Sequence, residues 1–75
     1  MRLVDVVYKR IVELCNEHNL SLYRLTKTSG VPYSTIATMT RSNTVQLSTI
    51  KGICEGLKIS LKTFFDSPMF DDCCD

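Results

Sequence analysis

The sequence predicts an all-α domain, a bundle of five short helices. Apolar residues recur at intervals of three and four along most of the chain, which is the period of a helix with one buried side. No segment alternates apolar and polar residues for long, and no Asn-Gly or Asp-Gly hairpin turn occurs. Glycine, proline and serine separate the apolar segments, as expected at helix ends.

A stripe of apolar residues at helical spacing predicts the first helix, with most of the charged residues off the stripe. The stripe contains Val4, Val7, Tyr8, Ile11, Leu14 and Cys15, and the residues mostly off it are Lys9, Arg10, Glu13 and Glu17. Asn19 follows, at a position where helices often end in a left-handed residue. Ser21 is expected to cap the second helix, predicted over residues 22–29, and Gly30 to end it, because glycine adopts positive φ without strain.

Val31 and Pro32 are expected to form the turn into a third helix, predicted from Tyr33 to about Thr40, with Ile36 and Met39 facing inward. The polar segment after it is predicted to be a loop. A fourth helix is predicted to begin within residues 46–48 and to bury Leu47, Ile50, Ile53, Cys54 and Leu57. A fifth short helix is predicted after Ser60, a second candidate N-cap.

The positions of the charged residues along the chain are more informative than the net charge. The 75 residues, enough for one small domain, carry a formal net charge of only +1. No acidic residue occurs between His18 and Cys54, and the bases there are Arg24, Lys27, Arg41 and Lys51. The tail has the opposite sign, with Asp66, Asp71, Asp72 and Asp75. A basic middle rich in serine and threonine suits a polyanion, although charge alone fits a solvated polar face equally well.

Several classes of protein are not expected. No apolar run is long enough for a membrane span and the N-terminus has no signal-peptide core, so we predict a cytoplasmic protein. Cys15 and Cys54 are expected to be buried, and Cys73 and Cys74 to form an exposed dithiol rather than a redox switch. We expect no metal site, no cofactor and no catalysis, since His18 has no nucleophile at catalytic spacing and no phosphate-binding loop occurs.

The segment 21–39 has the helix–short turn–helix form that places its second helix in a DNA major groove. The apolar residues that can meet in one core are Leu25, Val31, Ile36 and Met39. This leaves four side chains on the outer face of the third helix that are small or flat enough to approach base edges: Tyr33, Ser34, Ala37 and Thr38. Tyr8 and Tyr23 are expected to be half-buried packing residues.

The sequence resembles the Cro/repressor-type (Xre) helix-turn-helix family over about residues 11–66. The order and spacing of several motifs carry this resemblance: Ile11-x-x-Leu14, Leu20-Ser21-x-x-x-Leu25, Ser29-Gly30-Val31-Pro32-x-Ser34-Thr35-Ile36, Leu47-x-Thr49-Ile50 and Ile53-Cys54-x-Gly56-Leu57-x-Ile59-Ser60-Leu61-x-x-Phe64-Phe65. The chain is most similar to short stand-alone regulators of Gram-positive bacteria and their mobile elements. The resemblance implies a lambda-repressor-like five-helix bundle and sequence-specific binding of DNA by a homodimer.

Carried over position by position, the resemblance implies that Tyr33, Ser34, Ala37 and Thr38 face the bases. The residues expected to contact phosphates are Ser21, Thr35, Arg41, Ser42, Asn43 and Thr44. Lys27 and Lys51 are weaker candidates, equally well explained as solvated side chains. Four positions depart from the family. Leu22 replaces a DNA-contacting glutamine, and Thr26 replaces a small alanine and needs a backbone acceptor. Ser42 replaces a frequent glycine after the third helix, and Lys58 replaces the glycine between the fourth and fifth helices.

Residues 1–66 are predicted to form the DNA-binding domain and residues 67–75 a short acidic tail, disordered at its end. Four apolar residues near this boundary either close the core of the monomer or form a two-fold interface, and we favour the interface: Phe64, Phe65, Met69 and Phe70.

The sequence therefore predicts a transcriptional regulator of double-stranded DNA, a repressor that acts as a homodimer on a palindromic operator, with no small-molecule substrate. The alternative is a protein-interaction module, such as an antitoxin or immunity component, that binds a partner protein through its apolar C-terminal end.

Overall fold

The computed structural model describes residues 1–73, so the predictions for Cys74 and Asp75 lie outside the described residues. Five α-helices follow one another in this range: α1 (Leu3–Glu17), α2 (Leu22–Ser29), α3 (Tyr33–Ala37), α4 (Leu47–Leu57) and α5 (Leu61–Phe65). Two 3-10 helices, Met39–Arg41 and Pro68–Asp72, follow α3 and α5. The predicted all-α class is thus confirmed, and none of residues 1–73 lies in a strand.

A single core joins the helices. Each of the five contributes at least one fully buried side chain to it, including Ile11, Leu25, Ile36, Ile53 and Phe64. Around them lie smaller buried groups, including the two thiols expected there, Cys15 and Cys54. Burying apolar surface from every helix at one place is what allows α-helices of only five residues to be stable in so short a chain.

Serine hydroxyls begin two of the helices, as predicted. Ser21 Oγ accepts a hydrogen bond of 3.1 Å from the amide of Arg24, and Ser60 Oγ accepts one of 3.0 Å from the amide of Thr63. Each hydroxyl satisfies an amide that has no acceptor within the helix.

Three residues adopt the left-handed conformation at turns between helices. Gly30 follows α2 with φ 76°, Asn19 follows α1 with φ 57°, and Lys58 follows α4 with φ 60°. The predictions for Gly30 and Asn19 are confirmed. Lys58 does take the conformation that glycine adopts more easily, so its side chain carries a local cost.

Helices α2 and α4 approach closely at a glycine. A Cβ atom on Gly56 would lie 2.8 Å from Cβ and 2.9 Å from Cα of Ser29, at the last turn of α2. Only hydrogen fits between these atoms, so α4 supports the backbone immediately before the turn into α3. Nearby, Gly52 faces Val31 of that turn, and a Cβ there would lie 3.2 Å from Val31 Cγ2.

Two details of the predicted helices are wrong. Helix α3 ends at Ala37 rather than near Thr40, because Thr38 leaves helical geometry with φ −110° and ψ 6° and a 3-10 turn follows. β-Branched threonines disfavour continuing the helix at this point. Leu47 is 72% exposed instead of buried, because it is the first residue of α4 and precedes the turn that meets the core.

Arg10 is buried, although its charge suggested a place off the apolar stripe. Its Nε donates to the carbonyl of Phe64 at 2.7 Å, and a terminal nitrogen donates to the carbonyl of Thr63 at 2.8 Å. The other terminal nitrogen pairs with Glu13. The last carbonyls of a helix have no partner within it. One guanidinium from α1 therefore completes the C-terminal end of α5.

The segment after α5 folds back onto the bundle. Phe70 packs against the core, with its ring centroid 6.1 Å from that of Phe64 and 5.0 Å from that of Phe65. Asp71 and Asp72, expected in a disordered end, belong to the 3-10 helix that begins at Pro68, because this packing fixes the turn.

The placement of Phe64 in a dimer interface is corrected. Its side chain has no exposed surface in the single chain, so it belongs to the monomer core and has no area left to bury against a second copy. Phe65 is 38% exposed, and Met69 and Phe70 are partly exposed.

No helix in residues 1–73 is both long and apolar enough to cross a membrane.

Candidate nucleic-acid interface

The turn between α2 and α3 fixes the orientation of α3. Gly30 turns the chain out of α2, and the amide of Val31 donates to Ser29 Oγ at 3.3 Å. The carbonyl of Pro32 then accepts the amides of Thr35 at 3.0 Å and of Ile36 at 3.4 Å, which begins α3. Since Ile36 is fully buried, the opposite side of α3 faces solvent.

The four residues predicted to face bases all lie on this solvent side. Tyr33 is 50% exposed, and Ser34, Ala37 and Thr38 are exposed as well. The Thr38 hydroxyl donates to the carbonyl of Ser34 at 2.6 Å. Its proton is therefore engaged within the helix, and its oxygen can accept a hydrogen bond from a base or a phosphate-bound water.

A polar groove of about 470 Å³ separates α3 from the start of α4. Its walls carry hydroxyl or amide groups from three consecutive segments: Thr35 and Thr38, then Ser42 and Thr44, then Gln46 and Thr49. The groove brings three of the predicted phosphate contacts, Thr35, Ser42 and Thr44, beside one predicted base contact, Thr38. Ser21 is exposed at the N-terminus of α2 and does not line this groove.

Arg2 holds the backbone that follows α3. Its guanidinium donates to the carbonyls of Thr40 and Ser42, the latter at 3.5 Å, and to Asn43 Oδ1 at 3.4 Å. Asp5 pairs with the same guanidinium, with Arg2 Nε 3.3 Å from Asp5 Oδ2. Asn43 is thus the one predicted phosphate contact whose side chain is engaged by Arg2. Sequence reasoning missed Arg2, since nothing in the chain indicates a contact 40 residues away.

Two side chains of α2 extend the exposed surface next to α3. Tyr23, expected to be half buried, is 56% exposed, and its ring meets the Tyr33 ring edge-on. The Lys27 ammonium stands 5.0 Å from the centroid of the Tyr23 ring. The four-residue spacing of Tyr23 and Lys27 places them on one side of α2, and from this spacing their contact could have been predicted. Arg24 and Arg41 are exposed too.

Thr26 stands where related sequences have a small alanine, and its hydroxyl was expected to need a backbone acceptor. It has one, because the hydroxyl donates to the carbonyl of Tyr23 at 2.5 Å.

Burial raises the pKa of the Cys15 thiol. It also raises the pKa of the Cys54 thiol, where the charge of Lys51 opposes the shift. Both thiols are therefore protonated at neutral pH. In residues 1–73, no three acidic, histidine or cysteine side chains come together as a metal would require.

Within this five-helix bundle, the supporting helix α2 is followed by a glycine turn and then by the short helix α3, whose outer face is exposed. This arrangement defines a helix-turn-helix DNA-binding domain. The chain belongs to the Cro/C1-type HTH DNA-binding domain family, whose profile matches residues 10–68. This match confirms the resemblance found in the sequence. No curated protein and no solved structure matches the chain.

Proposed function

We propose that this DNA-binding domain is a sequence-specific transcriptional regulator in the cytoplasm, a repressor that binds a palindromic operator as a homodimer. The single observation that carries the proposal is the placement of α3, which buries Ile36 and exposes Tyr33, Ser34, Ala37 and Thr38. Such a helix can enter the major groove without unfolding any part of the core.

The four exposed residues of α3 are proposed to meet base edges. Tyr33 offers a flat ring to a thymine methyl and a hydroxyl to a base or phosphate. Ser34 and the acceptor oxygen of Thr38 can bond several base edges, and Ala37 allows close approach. None of these groups makes the bidentate contacts of arginine or glutamine, so the shape of the DNA contributes part of the sequence preference.

The phosphate contacts are proposed at both ends of the helix-turn-helix. Ser21 lies at the N-terminus of α2, where the first amides have no acceptor within the helix. Thr35, Ser42 and Thr44 line the groove beyond α3, and Arg41 adds a positive charge next to it. Asn43 joins them through its amide nitrogen, since its oxygen accepts from Arg2.

The homodimer is proposed to form through the apolar residues that remain exposed around α5. Phe65 and Leu61 are each 38% exposed, and Met69 and Phe70 lie beside them, partly exposed, in the following turn. A two-fold pairing there would present two copies of α3 to successive major grooves, about 34 Å apart on one face of the duplex. The same surface also favours the second candidate function, a module that binds a different protein through this end.

The test is selection of bound duplexes from a random pool, followed by binding measurements on the selected operator and on random DNA. We expect a palindrome whose half-sites are one helical turn apart, and an affinity that falls steeply between about 50 and 200 mM salt. Replacing Tyr33 or Thr38 with alanine should reduce preference for the operator, whereas Arg41→Ala should weaken binding to both DNAs about equally.

The matched control is Lys58→Ala, which removes one exposed charge after α4, at a residue outside both the proposed DNA contacts and the proposed dimer surface. It should leave operator preference unchanged. Sedimentation of Phe65→Glu beside the unmodified chain tests the homodimer, since a charge at the interface should leave a monomer. If no sequence is enriched from the pool and binding does not change with salt, sequence-specific DNA binding is refuted. The second candidate function, binding of a partner protein, is then favoured.

A further inference from the structure

The rings of Tyr23 and Tyr33 form a pair that joins the two helices of the helix-turn-helix on their outer surface. Their centroids are 6.3 Å apart and their planes are inclined at 62°, which is an edge-to-face arrangement. Aromatic rings attract one another in this geometry because the positive edge of one meets the negative face of the other. Both rings are about half exposed, at 56% for Tyr23 and 50% for Tyr33.

Tyr23 is itself restrained on α2. The Lys27 ammonium, one turn further along the helix, stands 5.0 Å from the centroid of its ring and is attracted to the ring face. The backbone at Tyr23 is fixed as well, because its carbonyl accepts the Thr26 hydroxyl and Ser21 caps the start of the helix. The ring that meets Tyr33 therefore belongs to an ordered turn of the supporting helix.

An exposed tyrosine samples several side-chain rotamers, and a contact with a base edge requires one of them. Immobilising the side chain on binding costs free energy, and a neighbour that already favours the bound rotamer removes part of that cost. Tyr33 is the first residue of α3, where it has no preceding helical turn to restrict it, so the Tyr23 ring is the group placed to do so.

We infer that Tyr23 is a positioning residue that orients the Tyr33 ring for its base contact, and so contributes to operator preference without touching DNA. This role rests on the proposed function, since it acts through Tyr33. The competing role is a direct contact of Tyr23 with a phosphate, which would strengthen binding to every duplex alike.

A double-mutant cycle separates the two roles. Tyr23→Leu should lower the ratio of operator to random-DNA affinity by about two- to tenfold, the range for an aromatic pair. The same change made in a Tyr33→Leu background should leave that ratio unaltered, because the ring to be positioned is gone. Tyr23→Phe should restore the preference, since it keeps the ring and removes only the hydroxyl.

A second readout needs no DNA. The ring protons of Tyr33 in the free protein should shift in the NMR spectrum when Tyr23 becomes leucine and should stay in place when it becomes phenylalanine. Equal losses on operator and random DNA, losses that add in the double variant, or an unmoved Tyr33 spectrum would each refute the positioning role while leaving the proposed function intact. An unmodified chain that prefers no duplex would instead refute the proposed function and this role with it.

Discussion

Replacing Arg10 with methionine tests the connection between α1 and α5 most directly. Methionine keeps an unbranched apolar side chain in the buried position and removes the guanidinium. The carbonyls of Thr63 and Phe64 then lose donors at 2.8 and 2.7 Å. The Thr63 carbonyl keeps the amide of Asp66 at 3.2 Å, whereas the Phe64 carbonyl has no amide of α5 to accept from, because that helix ends one residue after Phe64.

The expected magnitude follows from these contacts. Hydrogen bonds from a charged donor contribute about 1.5–3 kcal/mol each, and removing a buried charge relieves part of its desolvation cost. We therefore expect a net loss of about 3 kcal/mol. A chain of 75 residues is stable by about 4–11 kcal/mol, so this loss is a large fraction of the total. Its melting temperature should fall by about 12–24 °C.

Urea unfolding followed by circular dichroism measures this loss, with two variants for comparison. Lys9→Met removes an exposed charge from the adjacent position and should change stability by less than about 0.5 kcal/mol. Glu13→Gln breaks only the ion pair at a carboxylate that is 43% exposed, and should cost no more than about 1 kcal/mol. If Arg10→Met unfolds at the same urea concentration as Lys9→Met, the guanidinium does not complete α5 and the reasoning fails.

Three further predictions concern the core and its turns. Gly56→Ala should destabilise the domain by about 1–3 kcal/mol, because the added Cβ overlaps the backbone of α2; unchanged thermal unfolding would contradict that close approach. Lys58→Gly should stabilise it by about 1 kcal/mol in the same assay, since φ 60° suits glycine; a loss of stability would show that the lysine makes a compensating contact. Iodoacetamide should modify Cys73 in the folded protein well before Cys15 or Cys54, whose pKa values are raised by burial, and mass spectrometry of the peptides would detect equal rates if this protection is absent.

Most of the fold could be predicted because local physical chemistry determines it. Ser21, Gly30 and Ser60 act through their own backbones or hydroxyls within a few residues, so their roles can be read from a single segment of sequence. The core could be predicted for a similar reason, since helical period alone selects residues such as Ile36 and Ile53.

The misses share a different physical cause. Arg10 is buried because its guanidinium donates hydrogen bonds to carbonyls 53 and 54 residues further along the chain. A prediction from hydrophobic periodicity misses this, because it assigns every arginine to the surface. Leu47 is exposed because helix α4 meets the core only after its first turn. Phe64 could not be assigned from sequence, since a monomer core and a dimer interface require the same apolar residue.

The candidate interface was predictable in its location and less so in its organisation. The helix-turn-helix pattern placed Tyr33 and Thr38 on an outer face, and both are exposed there. The contacts that arrange this face come from other parts of the chain. Arg2, just before α1, donates to the carbonyl of Thr40, and the Tyr23 ring on α2 contacts the Tyr33 ring. Such contacts depend on tertiary geometry, which the spacing of residues in the chain does not contain.

The shortness of α3 limits how much information one subunit can carry. Five helical residues rise about 7.5 Å, which is about two steps along a duplex that advances 3.4 Å per base pair. A combination of bases so short recurs throughout any genome, so in the proposed homodimer the distance between the two half-sites and the stiffness of the intervening DNA would supply most of the sequence specificity. Because the proposed base contacts are so few, a single codon change at one of them would be enough to redirect the proposed regulator to a new set of genes.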